Sequence, residues 1–238
     1  MTSGAGTVLV IDDQELVGTS LTYALASEGL DAHRVPVTSL RTVRQAAAEH
    51  VVGVALLDLE LGTDATGAGL DGVELVGPLR AQGWTVLVVT GTAELDRVAA
   101  AVAAGAASWM VKGASLAELV HTTVELAAGR GRLPESQRRA MLQRHRTAQH
   151  TAHRSAERLG KLSPKEREVL DRLAAGADAA TVARQTHTSI RTVRAQIRSI
   201  LTKLDVNSQG AATAILREHA NRAPPIRASL WRRMCGPA

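Results

Sequence analysis

Residues 51–59 read VVGVALLDL, a nearly unbroken apolar run that admits one acid, Asp58, close to its end. A strand covered on one face alternates apolar and polar residues. A short run that stays apolar at successive positions instead fits a strand buried on both faces, as in parallel sheets. TVLVID at 7–12 and TVLVVTG at 85–91 have the same character, and DAHRVPV at 31–37 and SWMVKG at 108–113 are weaker versions. Amphipathic stretches of helical length follow the runs at 14–28, 38–49, 71–82, 94–104 and 115–128, and Gly29, Gly83, Gly105 and Gly129 close four of them. Five strand–helix pairs predict an α/β domain, a doubly wound five-stranded parallel sheet with helices on both faces. Pro78, next to Gly77, is expected to kink the helix at 71–82.

In such a sheet the functional crevice lies at the carboxyl ends of the strands. The polar residues expected there are Asp12, Asp13, Asp58, Thr90 and Lys112. Three carboxylates converging in one crevice repel one another unless a cation neutralises them, and an oxygen-only donor set suits Mg²⁺. A hydroxyl and an ammonium facing the same point are suited to gripping phosphoryl oxygens.

On these residues, 7–128 resembles the receiver domain of bacterial two-component response regulators, which implies a flavodoxin-like fold. The resemblance implies that Asp58 is the phosphoacceptor, and that Asp12, Asp13, Asp58 and the backbone carbonyl of Glu60 hold Mg²⁺. It also implies that Thr90 and Lys112 contact the phosphoryl group, and that Trp109 stands where the family has an inward-turning Tyr or Phe. A carboxylate is a poor nucleophile toward an anionic donor, so the metal and Lys112 supply the positive charge that transfer needs. Two features depart from the family. The segment LELGTDATGAGL (59–70) is longer than the usual loop and lacks its Pro, and Gly113 follows Lys112 where many receivers have Pro. A cis bond before a non-proline residue costs about 2.5–4 kcal/mol, so the Lys112–Gly113 bond is expected to be trans. A second reading keeps the fold but switches the receiver by a ligand or protein partner instead of phosphate. A third, the DxDxT signature of aspartyl-phosphate phosphatases, fits LLDLELGT poorly, because Glu60 replaces the second Asp and Gly62 occupies the fifth position.

Residues 129–160 are polar, Arg-rich and sparsely apolar, and after Pro134 nothing breaks a helix. A basic helical linker is expected, with His145, His150 and His153 on its solvated surface; no carboxylate or Cys accompanies them in a metal-ligand pattern. In 161–220, Ser163, Pro164 and Glu166 open one helix with a capping box, Asp178 caps a second over 179–186, and Ser189 caps a third over 190–204. Ser208 opens a fourth. The third helix buries Val193, Ile197, Ile200, Leu201 and Leu204, and its other face carries Arg191, Arg194, Ala195, Arg198 and Thr202 without an acid. A short helix, a tight turn and a basic helix make a helix-turn-helix whose Arg-rich face suits a major groove. This small all-α four-helix domain resembles the LuxR/NarL-type DNA-binding domain through LSPKEREVL and TVRAQIRSILTKLDVNSQ. The resemblance implies that Arg194, Ala195 and Arg198 face bases, that Thr192 and Lys203 lie near phosphates, and that 208–219 faces a dimer partner.

Charge divides the chain the same way. Residues 1–128 carry 6 Lys/Arg against 15 Asp/Glu, and 129–238 carry 22 against 8, which together give the net +5. An acidic half that meets a cation is joined to a basic half that meets a polyanion. The opposition predicts attraction between the halves at rest, in competition with DNA and weakened by salt. With 45% apolar and 21% charged residues the chain is globular. No apolar run approaches the roughly 18 residues of a membrane span, and the start lacks a basic segment followed by a long apolar one, so no membrane association and a cytoplasmic location are expected. The lone Cys235 rules out a disulfide framework, and zero Phe with one Tyr disfavours base stacking. The tail 221–238, with Pro224–Pro225, Trp231 and four Arg, is expected to be disordered.

These features predict a receiver at 1–128, a linker at 129–160, the helix-turn-helix at 161–220 and a basic tail at 221–238. They predict a DNA-binding response regulator, not an enzyme in the ordinary sense. Its expected partners are a sensor histidine kinase that phosphorylates Asp58 and double-stranded DNA, bound as a homodimer.

Overall fold

The computed structural model describes residues 6–91 and 94–222. The chain forms two compact units, 1–146 and 147–238. In the first unit, β1 (Thr7–Ile11), α1 (Glu15–Ser27), β2 (Asp31–Val35), α2 (Leu40–Ala48) and β3 (Val54–Leu57) lead into a hairpin of β4 (Glu60–Thr63) and β5 (Gly69–Asp71). Then follow α3 (Val73–Ala81), β6 (Thr85–Thr90), α4 (Leu95–Ala104), β7 (Ser108–Val111) and α5 (Leu116–Ala127). The main sheet is parallel throughout, in the order β2-β1-β3-β6-β7. Strand order reverses next to β1, and that places the crevice at the carboxyl ends of β1 and β3.

The unbroken apolar runs have a direct cause. Successive side chains of a strand point to opposite faces, and here each face has its own core. Leu9, Ile11, Ala55, Leu57, Val86 and Val88 pack under α2, α3 and α4, with Val43, Leu75 and Leu79. Val8, Val10, Val54, Leu56, Leu87 and Val89 pack under α1 and α5, with Leu21, Leu25 and Leu119. Ser39 and Ser115 form capping boxes with Thr42 and Glu118 and start α2 and α5. Helix α3 carries Pro78 within it and continues to Ala81.

The segment 59–70, expected as a loop, is instead mostly an antiparallel hairpin. Glu60 pairs with Asp71 and Thr63 with Gly69, with an irregularity between them. Its turn is built by Asp64, whose Oδ1 accepts from Thr66 N (2.8 Å), Thr66 Oγ1 (2.6 Å) and Ala68 N (2.9 Å). Only Leu61 and Leu70 of this segment reach the core beyond Leu59, so its alternation is too short to announce a strand.

Helix α6 (Glu135–Gly160) starts in the first unit and ends in the second, where α7 (Pro164–Ala174), α8 (Ala179–Gln185), α9 (Ile190–Leu204) and α10 (Gln209–Arg222) follow. Leu159, Val169, Leu170, Val193, Ile197 and Ile200 contribute to a third, separate core. Asp178 and Ser189 cap α8 and α9 through Thr181 N (2.7 Å) and Thr192 N (3.1 Å). The turn between α8 and α9 places His187 at φ 51°. Helix α10 runs to Arg222, past the expected start of the tail at 221, and the rest of that tail, with Trp231 and Cys235, lies outside the described residues. Among the described residues no helix is long and apolar enough to cross a membrane.

Candidate functional site

Asp58 leaves the end of β3 with its backbone N–H still donating to Ile11 O at 2.9 Å, so the sheet itself fixes its Cα. Gly72 lies directly against it. A Cβ at Gly72 would stand 2.1 Å from Asp58 O and 2.8 Å from Leu59 Cα, far inside contact distance, so no side chain fits there. The Asp58 side chain is 3% exposed. Its Oδ1 accepts from Glu60 N at 3.2 Å, and its Oδ2 lies 2.8 Å from Lys112 Nζ.

Lys112 follows β7, where its backbone N–H donates to Thr90 O at 2.8 Å and so joins the ends of β6 and β7. Its ammonium bridges two carboxylates, reaching Asp12 Oδ2 at 2.7 Å as well as Asp58. Asp12 is buried, with Oδ1 accepting from Gln14 N at 2.8 Å, whereas Asp13 is exposed at the rim. One oxygen from each of Asp12, Asp13 and Asp58 lies within 4.8 Å of the others. Thr90 is buried at the end of β6, and Trp109 on β7 is half-buried against the core under α2, α3 and α4. Trp109 also lines a shallow groove with Met110, Glu118 and His121.

Burial pushes the Asp58 carboxyl above its ordinary range, and the hydrogen bonds from Lys112 and Glu60 oppose that rise. For Lys112, burial alone would favour the neutral amine, but Asp12 and Asp58 outweigh it and hold the proton more firmly than usual. Three carboxylates against one ammonium leave two formal negative charges in a mostly buried, all-oxygen cluster. That donor set fits a hard divalent cation. It can also present a carboxylate oxygen to an electrophile beside a fixed positive charge.

Arg97, on α4, is a residue the sequence did not single out. Its Nη2 donates to Leu59 O and to Asp71 Oδ1, both at 2.7 Å, and Nη1 lies 3.6 Å from Glu60 Oε1. No short motif surrounds Arg97, and only the fold brings it to the segment after Asp58.

In the second unit, α9 buries Val193, Ile197, Ile200 and Leu204 and exposes Arg191, Thr192, Arg194, Ala195 and Arg198; Leu201, expected inside, is half-buried. Among the described residues no carboxylate pairs with Arg191, Arg194 or Arg198. Lys203, expected near phosphates, is engaged within its own domain. Its Nζ is 2.7 Å from Glu166 Oε2, which also accepts from Ser163 N (2.7 Å), while Oε1 accepts from Ser199 Oγ (2.7 Å). A carboxylate buried at the start of α7 demands a cation, and Lys203 is the one the helix packing supplies.

Two families match the chain. The response regulator receiver domain matches residues 8–124, and the family of bacterial regulatory proteins of the luxR type matches 160–216. Among curated relatives, the transcriptional regulatory protein FixJ of Azorhizobium caulinodans is 29% identical over 213 residues, covering 84% of this chain and 87% of FixJ. The probable transcriptional regulatory protein NarL of Mycobacterium tuberculosis is 28% identical over 213 residues, covering 87% and 91%. Similar solved structures include an RcsB–DNA complex (21% identity, TM-score 0.47, 90% of this chain and 98% of that one) and full-length FixJ from B. japonicum (23%, 0.42, 93% and 100%). With a receiver match over the parallel sheet and a luxR match over the helix-turn-helix, the chain belongs to the LuxR/NarL-type response regulators, the DNA-binding transcriptional regulators of two-component systems.

Proposed function

We propose that Asp58 accepts a phosphoryl group from a phosphohistidine of a sensor kinase, in the cytoplasm, and that the phosphorylated chain binds double-stranded DNA as a homodimer through α9. The observation that carries the first part is the pairing of the buried Asp58 carboxylate with Lys112 at 2.8 Å, beside Asp12 and Asp13. In the transfer the phosphorus–nitrogen bond of the donor breaks while a bond forms from an Asp58 carboxylate oxygen, and the electron pair leaves with the imidazole. Lys112 then has phosphoryl oxygens to neutralise in place of the carboxylate it loses. Asp12, Asp13 and Asp58, with the Glu60 carbonyl, are the groups that would hold Mg²⁺, which when bound supplies positive charge to the transferring oxygens. Thr90 and Trp109, on neighbouring strands, are the residues proposed to respond to the new group. The chain takes up one phosphoryl group and turns over no substrate, so its output is binding.

For DNA, the support is an exposed α9 face that carries Arg191, Arg194, Arg198 and Ala195. Incubation with acetyl phosphate and Mg²⁺ tests the acceptor. The expected result is phosphoryl label on the wild type and none on Asp58→Asn. Label that persists in the variant would displace the acceptor, and an unlabelled wild type would transfer the switch to a ligand or protein partner.

A further inference from the structure

Arg97 is the third residue of α4, yet its guanidinium leaves that helix for the chain that follows Asp58. The Leu59 carbonyl accepts from Arg97 Nη2 at 2.7 Å and from Gly72 N at 2.9 Å. That carbonyl and the Glu60 N–H are the two ends of one planar peptide unit. The Glu60 N–H in turn donates to Asp58 Oδ1 at 3.2 Å. A cation therefore holds the oxygen of the peptide whose hydrogen holds the carboxylate. Charge on the oxygen polarises the unit and strengthens the N–H as a donor, and the rigid plane passes on its orientation.

The other partner of the guanidinium reinforces the grip. Asp71 Oδ1, 2.7 Å from Arg97 Nη2, also accepts from Val73 N (3.0 Å) at the start of α3. Asp71 pairs with Glu60 at the base of the hairpin. Arg97 thus ties α4, α3 and the base of the β4–β5 hairpin at one point. The hairpin touches the site a second time. Gly62 has φ +67°, and a Cβ there would stand 2.8 Å from Asp13 Oδ2, so this strand rests against the rim carboxylate.

We propose that Arg97 is a positioning residue of the phosphoacceptor site, acting on Asp58 through the Leu59–Glu60 peptide, and that the β4–β5 hairpin is the part of the site it secures. With Oδ1 tied to that peptide and Oδ2 to Lys112, the carboxylate has one orientation. Without the peptide, its terminal torsion is broad and roughly two-fold. The inference rests on Asp58 being the acceptor, and the test separates the two.

The experiment measures initial rates of labelling by acetyl phosphate against Mg²⁺ concentration, in the full chain, for wild type, Asp58→Asn, Arg97→Ala, Arg97→Lys and Gly62→Ala. Rates are referred to the folded fraction, and Mg²⁺ affinity is read separately by calorimetry. Arg97→Ala is expected to lose roughly tenfold or more in rate at saturating Mg²⁺, because small misplacements of a reacting group are costly. Arg97→Lys should fall between, since a lysine keeps the charge but is shorter and lacks the planar fork whose second nitrogen approaches Glu60. Gly62→Ala should instead weaken Mg²⁺ binding with a smaller change in the saturated rate, because it displaces Asp13. A saturated rate in Arg97→Ala equal to wild type, or a loss that vanishes when referred to folded protein, overturns the assignment of Arg97 alone. A wild type that takes no label overturns the acceptor and Arg97 together.

Discussion

Glu166 is the third residue of α7, and its side chain is buried at the junction with α9. Burial by itself would raise its pKa, but Lys203, Ser199 and Ser163 outweigh burial and hold it at about 2, against 4.5 for a free glutamate. A carboxylate depressed in the folded state stabilises fully above its unfolded value, and the contribution is lost as pH falls toward the folded value. The window is therefore from about 4.5 down to about 2. Thermal midpoints of wild type and Glu166→Gln should differ at neutral pH and converge through that window; a pH-independent difference would refute the linkage. The same pair predicts a split among basic residues. Lys203→Ala should destabilise the domain, since it strands a buried carboxylate, and leave the salt slope of DNA binding unchanged. Arg194→Ala and Arg198→Ala should each weaken operator binding by about 1–3 kcal/mol if they meet bases. Affinities equal to wild type in both would remove α9 from the groove. That Arg194 and Arg198 stand exposed was legible in the helical period, whereas the engagement of Lys203 was not, because its partner lies 37 residues away.

Helices begin here where a side chain can take up the free backbone donors, and those beginnings are short-range and readable. Ser189 Oγ accepts from Thr192 N at 3.1 Å, and removing it in Ser189→Ala should cost about 0.5–2 kcal/mol in denaturant unfolding. A cost near zero would mean that α9 is started by packing alone. The β4–β5 hairpin is the opposite kind of element. Its turn is local, built on Asp64, but its base is closed by a guanidinium 38 residues downstream and by a glycine packed on Asp58. Gly72→Ala, with its Cβ 2.1 Å from Asp58 O, must move backbone, so it should lower the first unit's unfolding temperature and slow labelling together. Retention of both would show that the Asp58 turn can relax. Helix α4 ties this base to α6 as well. Asp96 bonds Arg144 Nε at 2.6 Å beside Arg97, though such an exposed pair is worth only about 0–1 kcal/mol.

At the scale of the molecule, the units 1–146 and 147–238 carry separate cores, two beneath the faces of the sheet and one among the helices that follow. Separate cores predict separate unfolding. Calorimetry should resolve two transitions, and Ile200→Ala, which empties a fully buried site at a cost of about 2–5 kcal/mol, should lower only one of them. A single transition displaced as a whole would show that the units unfold as one. The acidic and basic halves recognised from counting charges fall into these two units, apart from the stretch around 129–146, which is basic yet belongs with the first. Whatever depends on neighbours along the chain was legible before folding. Continuous apolar runs demanded a sheet covered on both faces, capped amphipathic periods demanded helices, and acids at strand ends marked the crevice. Which distant groups share a bond is settled by the folded chain. Lys112 bridges Asp12 and Asp58, Arg97 holds the peptide beside Asp58, and Lys203 answers Glu166. Strand order and helix packing set these distances, and a residue's own neighbours carry no record of which remote segment will be laid against it.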